Sequence, residues 1–208
     1  MVDEIVTAQN EDQFEQLIQG LIDNRFGICT DFLDEALLNG LRNNLLRFKQ
    51  EGLMHPAGVG RKFDYQKNAT IRGDVIRWLE KDTSDVFERL LLDKIGQFIV
   101  YLNQSCYTSI NDYEFHYAYY EVNSFYKRHF DKFKSDRGRK FSLVIYLNDE
   151  WKVSDGGKLS LYLDENKTEE ISPIGGQAVF FKSDEVEHEV SPSPTRYRIS
   201  IAGWLKNT

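Results

Sequence analysis

The sequence predicts an α+β fold in which a jelly-roll core is braced by helices from the N-terminal half. Three observations lead there. Apolar residues between 11 and 103 recur with the 3.6-residue period of amphipathic helices, whereas from Tyr113 onward the period falls to two. The second half then divides into about eight short segments of even spacing, each closed by a turn signal, as in two antiparallel sheets folded over one another. Helices gathered before the strands, instead of alternating with them, argue against a parallel α/β sheet. The chain has 208 residues, 41% of them hydrophobic, enough for one sizeable core. One catalytic domain over 1–208 is therefore expected, with 1–110 mainly helical support and a loop, and 111–208 the barrel.

Residues 11–23 place Phe14, Leu17, Ile18, Leu21 and Ile22 on one helical stripe, with Asn10 expected as N-cap and Gln13 at the third helical position. A short extended piece over 26–30 leads to a second helix, opened by Asp31 or Asp34, striped by Leu37, Leu38, Leu41, Leu45 and Phe48, and closed by Gly52. Residues 56–74 are polar, contain Gly58 and Gly60 and show neither period, so they are expected to form a loop, of a length that is usually functional in a compact domain. A third helix is expected from about Ser84 to Asn103, with Val86, Leu90, Leu91, Ile95, Phe98, Ile99 and Leu102 on its apolar face. Strands are expected at 113–122, 125–131, 141–148, 158–164, 169–172, 177–182, 188–191 and 196–204, with turns at 135–138, 155–157, 164–166 and 175–176.

Composition narrows the function classes. The formal charge of −7 argues against a general nucleic-acid partner, and no segment has the length and apolarity of a membrane span. The start of the chain lacks the basic and apolar regions of a secretory signal, and Cys29 and Cys106 are too few for a disulfide scaffold, so a cytoplasmic protein is expected. The charge is uneven. Residues 127–140 hold seven Lys or Arg, and the rest of the chain carries a net −12. Such a cationic stretch suits either an anionic cosubstrate or an acidic protein segment, and equally a solvated loop.

The chemistry centres on His129-Phe-Asp131. Side chains at i and i+2 of a strand share a face, with Cα atoms roughly 6.5 Å apart, so this imidazole and carboxylate can grip one metal ion. His188, at a strand start 57 residues later, is the expected third ligand. Two histidines and a carboxylate form the facial triad that suits Fe(II) and leaves positions open. Ten residues on, Arg198 lies in an alternating strand, and Arg196 is expected to share its face. An inward arginine in a barrel needs an anion, and a guanidinium fork suits a carboxylate. His55 and His116 are read as non-ligands.

These residues resemble those of the Fe(II)- and 2-oxoglutarate-dependent dioxygenases, in their prolyl 4-hydroxylase branch. The resemblance runs through Tyr120, Phe125-Tyr126-Lys-Arg-His129-Phe-Asp131, Ser142-Leu-Val-Ile-Tyr146-Leu-Asn148, Asp155-Gly-Gly157, His188-Glu-Val190 and Arg198 with Trp204. Ile71-Arg-Gly-Asp74 with Trp78 is similar to a segment of hypoxia-inducible-factor prolyl hydroxylases and their bacterial relatives. The resemblance implies a double-stranded β-helix with His129, Asp131 and His188 on iron, Arg198 and Tyr146 on the distal carboxylate of 2-oxoglutarate, and Tyr120 near its chelating end. It also implies Arg72, Asp74, Arg139 and Trp204 near a protein or peptide substrate, O2 as second cosubstrate, and ascorbate as a reductant. The chain departs from the branch in Glu121-Val-Asn123, where Pro and Gly are usual, and in the loop before Arg198, which leaves open whether Arg196 shares the carboxylate.

The implied activity is hydroxylation of an unactivated C–H bond, coupled to conversion of 2-oxoglutarate to succinate and CO2. A prolyl residue of a protein is the first expectation, with the loop over 57–74 closing on it. A free amino acid or other small molecule is the second. A cupin-like metal-binding module without redox chemistry is the third, and Arg198 with Tyr146 weighs against it.

Overall fold

The computed structural model describes residues 2–58, 71–131 and 138–208, with side chains from residue 9 onward. The chain opens with α1 (Val2–Asn24), β1 (Phe26–Cys29), α2 (Glu35–Gln50) and the short β2 (His55–Pro56). It continues through β3 (Asp74–Trp78) and α3 (Val86–Cys106) to β4 (Asp112–Tyr120), β5 (Tyr126–His129) and β6 (Arg139–Tyr146). A 3-10 turn, Val153–Asp155, leads into β7 (Leu159–Tyr162), β8 (Thr168–Ile171), β9 (Ala178–Lys182), β10 (Glu187–Val190) and β11 (Arg198–Lys206).

The strands form two antiparallel sheets. The larger runs β1-β9-β6-β11-β4-β3-β2 and the smaller β5-β10-β7-β8. Period-two alternation assigns the central strands of the larger sheet two partners. Phe115, Tyr117 and Tyr119 of β4, Leu143 and Ile145 of β6 and Ile199 and Ile201 of β11 pack with the helices in one core cluster. Their neighbours Ala118, Tyr120, Tyr146, Val179 and Phe181 instead pack with Leu159, Leu161 and Val190 of the smaller sheet. This is the jelly roll expected: a sandwich with helices on the outside of one sheet.

The helices lie where their stripes direct them. Asp34 caps α2 by accepting the Leu37 N–H at 2.8 Å, and Asp85 caps α3 by accepting from Phe87 and Glu88. Gly52 follows the end of α2 at φ +70°. Helix α1 presses close on β1: a Cβ at Gly27 would stand 2.0 Å from the Leu17 carbonyl oxygen.

Some expectations are corrected. Asn10 is not an N-cap, because α1 starts at Val2; it lies within the helix, donating to Gln97 and accepting from Lys94 of α3. Ile22, Val86 and Leu90 are more than 45% exposed despite their places on the apolar stripes, since they flank the contact and do not face it. Two strands inside or beside the expected loop form by edge pairing, β3 onto β4 and β2 onto β3, although their sequences carry no period of their own. Strand β11 begins at Arg198, so Arg196 precedes the strand and does not share the Arg198 face.

Candidate metal centre and cosubstrate site

The end of β5 brings His129 directly opposite His188 on β10, with ring centroids 4.3 Å apart. Asp131 follows β5, its Oδ1 at 3.5 Å from His129 Nε2 and its Oδ2 at 3.5 Å from His188 Nε2. One ligand atom from each of the three lies within 4.8 Å of the others. Each histidine sets its Nδ1 against a backbone carbonyl two residues earlier, Lys127 at 2.7 Å and Val186 at 3.3 Å. A carbonyl only accepts, so Nδ1 carries the hydrogen and both Nε2 lone pairs point at the carboxylate and the space between. His129 Nε2 is buried without a hydrogen-bond partner.

Two neutral imidazoles and one carboxylate fit Fe(II). Burial pulls His188 down to about 4, which keeps it in the neutral, ligating form. Burial alone would raise the Asp131 carboxyl, but the histidines and the Ser142 hydroxyl outweigh it and hold the group ionised well below the usual range. Ser142 Oγ donates to Asp131 Oδ2 at 2.7 Å and meets Ser183 Oγ at 2.9 Å. The Tyr126 ring stacks on His129 with centroids 3.6 Å apart, and Arg72 lies 4.1 Å from the Tyr126 centroid. Arg72 in turn forks onto Asp74 at 2.7 and 2.6 Å. A paired guanidinium thus backs the aromatic ring that fixes the histidine.

Arg198 is 2% exposed, and its guanidinium donates to the Gly157 carbonyl and the Ser200 hydroxyl. Among the described residues it has no carboxylate partner. An unpaired cation taken out of water is costly, so the site is complete only with an anion beside it. The guanidinium carbon lies 5.0 Å from the Tyr120 ring and 5.1 Å from the Tyr146 ring, and the Tyr146 hydroxyl is buried without a partner. Burial pushes that hydroxyl up to about 12, so it is protonated and free to donate to a carboxylate. Gly157 sits at φ +61°, and a Cβ there would come within 3.0 Å of Trp151 and 3.4 Å of Arg198 Cδ. The Gly-Gly turn therefore lets a carbonyl approach the guanidinium. Arg196 stands apart, 3.9 Å from Asp155.

The metal chamber has a volume of about 50 Å³ and opens into an outer cavity of about 490 Å³. Arg72, His116, Tyr126, Asp131 and Trp204 line both and so form the neck. Of the residues expected near a substrate, Arg72 and Trp204 stand at the neck, Arg139 lines the outer cavity, and Asp74 lies behind Arg72. Arg139 is tied to Glu114 at 2.7 Å and stacks 3.4 Å from the Trp204 ring. The expected closing loop falls mostly on residues 59–70, and part of the cationic stretch on 132–137; both lie outside the described residues.

A family model described as the 2OG-Fe(II) oxygenase superfamily matches residues 115–206. A prolyl-4-hydroxylase structure from Pseudomonas putida is 31% identical, with a TM-score of 0.84, covering 94% of this chain and 100% of that one. The chain belongs to the 2OG-Fe(II) oxygenase superfamily. This oxygenase is also 27% identical, with a TM-score of 0.86, to a Trichoplax adhaerens prolyl hydroxylase in complex with a hypoxia-inducible-factor peptide fragment, over 96% of this chain and 91% of that one. A shorter stretch of 77 residues, 33% of the chain, is 38% identical to a Xenopus laevis prolyl 3-hydroxylase, of which it spans 15%. Membership implies Fe(II), 2-oxoglutarate and O2 for the oxygenase, and the triad and the unpaired arginine fit them.

Sequence reasoning did not assign Ser142, Ser183 or the stacking role of Tyr126. The signal for Ser142 was available, since it alternates with Phe141 and Leu143 and shares the Tyr146 face. Ser183 and Tyr126 had none: Ser183 meets Ser142 only through the pairing of β9 with β6, and Tyr126 reaches His129 three residues along one strand, a spacing that a period of two puts on opposite faces.

Proposed function

We propose that the chain hydroxylates a prolyl residue of a protein substrate at C4, converting 2-oxoglutarate and O2 to succinate and CO2. The observation that carries this is a buried Arg198, without a carboxylate partner among the described residues, on one side of the His129, Asp131 and His188 cluster and an aromatic-walled neck on the other. The likeness to the Pseudomonas prolyl-4-hydroxylase over nearly the whole chain supports the choice of proline and of C4.

In this reading His129, Asp131 and His188 hold Fe(II), which when bound supplies the O2 activation and C–H oxidation. Arg198 and the Tyr146 hydroxyl hold the distal carboxylate of 2-oxoglutarate as a charge-assisted pair of contacts, and Tyr120 walls its other end. Ser142 fixes the Asp131 carboxylate, and Tyr126 fixes the His129 ring. Trp78, Trp204 and Tyr126 offer flat apolar surface to a pyrrolidine ring and keep water from the reacting face. Arg72, Asp74 and Arg139 hold those walls. The whole of 1–208 acts as one catalytic domain. A reducing cytoplasm suits the two free cysteines, and among the described residues no helix is long and apolar enough to cross a membrane.

The test is incubation of anaerobically purified, Fe(II)-loaded protein with 2-oxoglutarate, O2 and host lysate. Peptides gaining one oxygen are sought by mass spectrometry, and the modified residue is resolved by hydrolysis and chromatography against 3- and 4-hydroxyproline. A 2-oxoglutarate-dependent 4-hydroxyprolyl product is expected. Hydroxylation of a free amino acid with no modified protein would overturn the reading.

A further inference from the structure

His116 is a buried histidine that neither the metal cluster nor the anion clamp uses. On β4 it alternates with Tyr117 and shares the cavity face with Ala118 and Tyr120, and it lines both the chamber and the outer cavity. It is 4% exposed, and its Nδ1 has no hydrogen-bond partner. Aromatic neighbours hold it in place: Trp78 edge-on at 5.0 Å and Trp204 at 5.5 Å. The Trp204 indole N–H is likewise buried and unpartnered.

The two charged groups of the neck are committed. Arg72 is forked onto Asp74, and Asp131 is held by Ser142 and faces both metal-site histidines. A buried polar group without a partner costs stability, and here it lines both the chamber and the outer cavity. Burial, with Arg72 nearby, pulls His116 down to about 3, so the ring is neutral and offers one N–H and one lone pair. According to tautomer, the unpartnered Nδ1 can donate to an amide carbonyl or accept from an amide N–H.

We propose that His116 is a substrate-reading residue, its imidazole hydrogen-bonding a main-chain amide of the substrate beside the hydroxylated prolyl. This deepens the function proposed above and rests on it. The ring acts as the polar mark on an otherwise aromatic wall. It selects a peptide over a free amino acid because free proline has no flanking amide to place there. The Trp204 N–H is positioned on the same wall to give to a carbonyl of the same segment.

The test uses a synthetic pool of short peptides randomised on both sides of a central proline, incubated with full-length, Fe(II)-loaded protein, 2-oxoglutarate and O2. Wild type, His116→Leu, His116→Met and His116→Gln are compared on the best peptide of the pool. Leu and Met fill the space without hydrogen bonding, while Gln keeps a donor and an acceptor. The expected result is a peptide KM raised about fivefold or more in Leu and Met, with a much smaller change in kcat and recovery toward wild type in Gln, the size being that of one neutral hydrogen bond. Thermal melting identifies any variant that does not fold, and the remaining apolar variant against Gln reads the same contrast. Equal KM in the apolar variants and wild type, with peptide hydroxylated by all, would overturn the role of His116 and leave the prolyl reading standing. Wild type that consumes 2-oxoglutarate while hydroxylating no peptide of the pool would sink both.

Discussion

The two faces of the larger sheet are built from the same strands and do opposite work. On β4, β6 and β11 the helix-side residues, among them Tyr117, Leu143 and Ile201, are fully enclosed and mostly apolar. The chamber-side residues of the same strands include His116, Tyr120, Ser142, Tyr146, Arg198 and Trp204, which are buried to a similar degree but polar or amphipathic. Buried side-chain atoms without a hydrogen-bond partner gather there: His116 Nδ1, Tyr146 Oη and Trp204 Nε1, with His129 Nε2 across the chamber. The helix side also holds Tyr117 Oη and Asn44 Nδ2, side by side under α2. On the chamber side the residues with unfilled hydrogen-bonding capacity border the space between the sheets, as a site prepared for a metal and an anion requires. The comparison teaches that burial does not separate scaffold from site here. Satisfaction does.

The largest expected effect is on the site alone. His129→Ala or His188→Ala should abolish Fe(II) retention and turnover while leaving the thermal transition in place, because two remaining ligands do not hold a labile ferrous ion tightly. Metal analysis after desalting checks it, and a folded variant with full iron and activity would break the assignment. The reverse case is Leu143→Ala on the helix side, which should cost about 2–5 kcal/mol in denaturant unfolding from the cavity it leaves, with the 2-oxoglutarate requirement nearly unchanged in the folded enzyme.

Arg198→Met sharpens the contrast, since it should weaken binding and help folding at once. Loss of a charge-assisted bond worth about 1.5–3 kcal/mol should raise the 2-oxoglutarate requirement tenfold or more. Removal of an unpaired buried cation should raise the melting temperature of the ligand-free protein. Arg196→Ala should do neither, and a 2-oxoglutarate defect there would move the clamp off Arg198.

The smallest effect concerns pH. His116 is held neutral at about 3 in the fold, by burial first and Arg72 second, against about 6.5 when unfolded. A base depressed on folding contributes stability above its unfolded value and loses it as pH falls toward the folded one. Wild type should therefore lose on the order of 1–2 kcal/mol more than His116→Leu between pH 7 and pH 5, by urea titration at each pH. Parallel curves for the two proteins would show that His116 is not held neutral.

The sequence by itself determined the helices-then-strands order, the eight barrel segments and the members of the His129, Asp131 and His188 cluster. Each of these is local: a period of 3.6 or two, a cap at Asp34, a His-x-Asp spacing at the end of a strand. Arg198 was marked as inward-facing by the family resemblance, since a strand alone leaves an arginine on either face. Tertiary structure decided the rest. Strand β3 exists because β4 offers it a paired edge, α1 extends to Val2, well beyond the N-cap expected at Asn10, and Arg196 falls outside β11 because the strand starts two residues later. His116 looked like an idle histidine in the sequence, for its meaning lies in Trp78, Trp204 and the neck, which come from three separate strands. Periodicity reports which face a side chain takes; only the packing of the strands onto one another determines what that face meets and which of its hydrogen bonds are left for a guest.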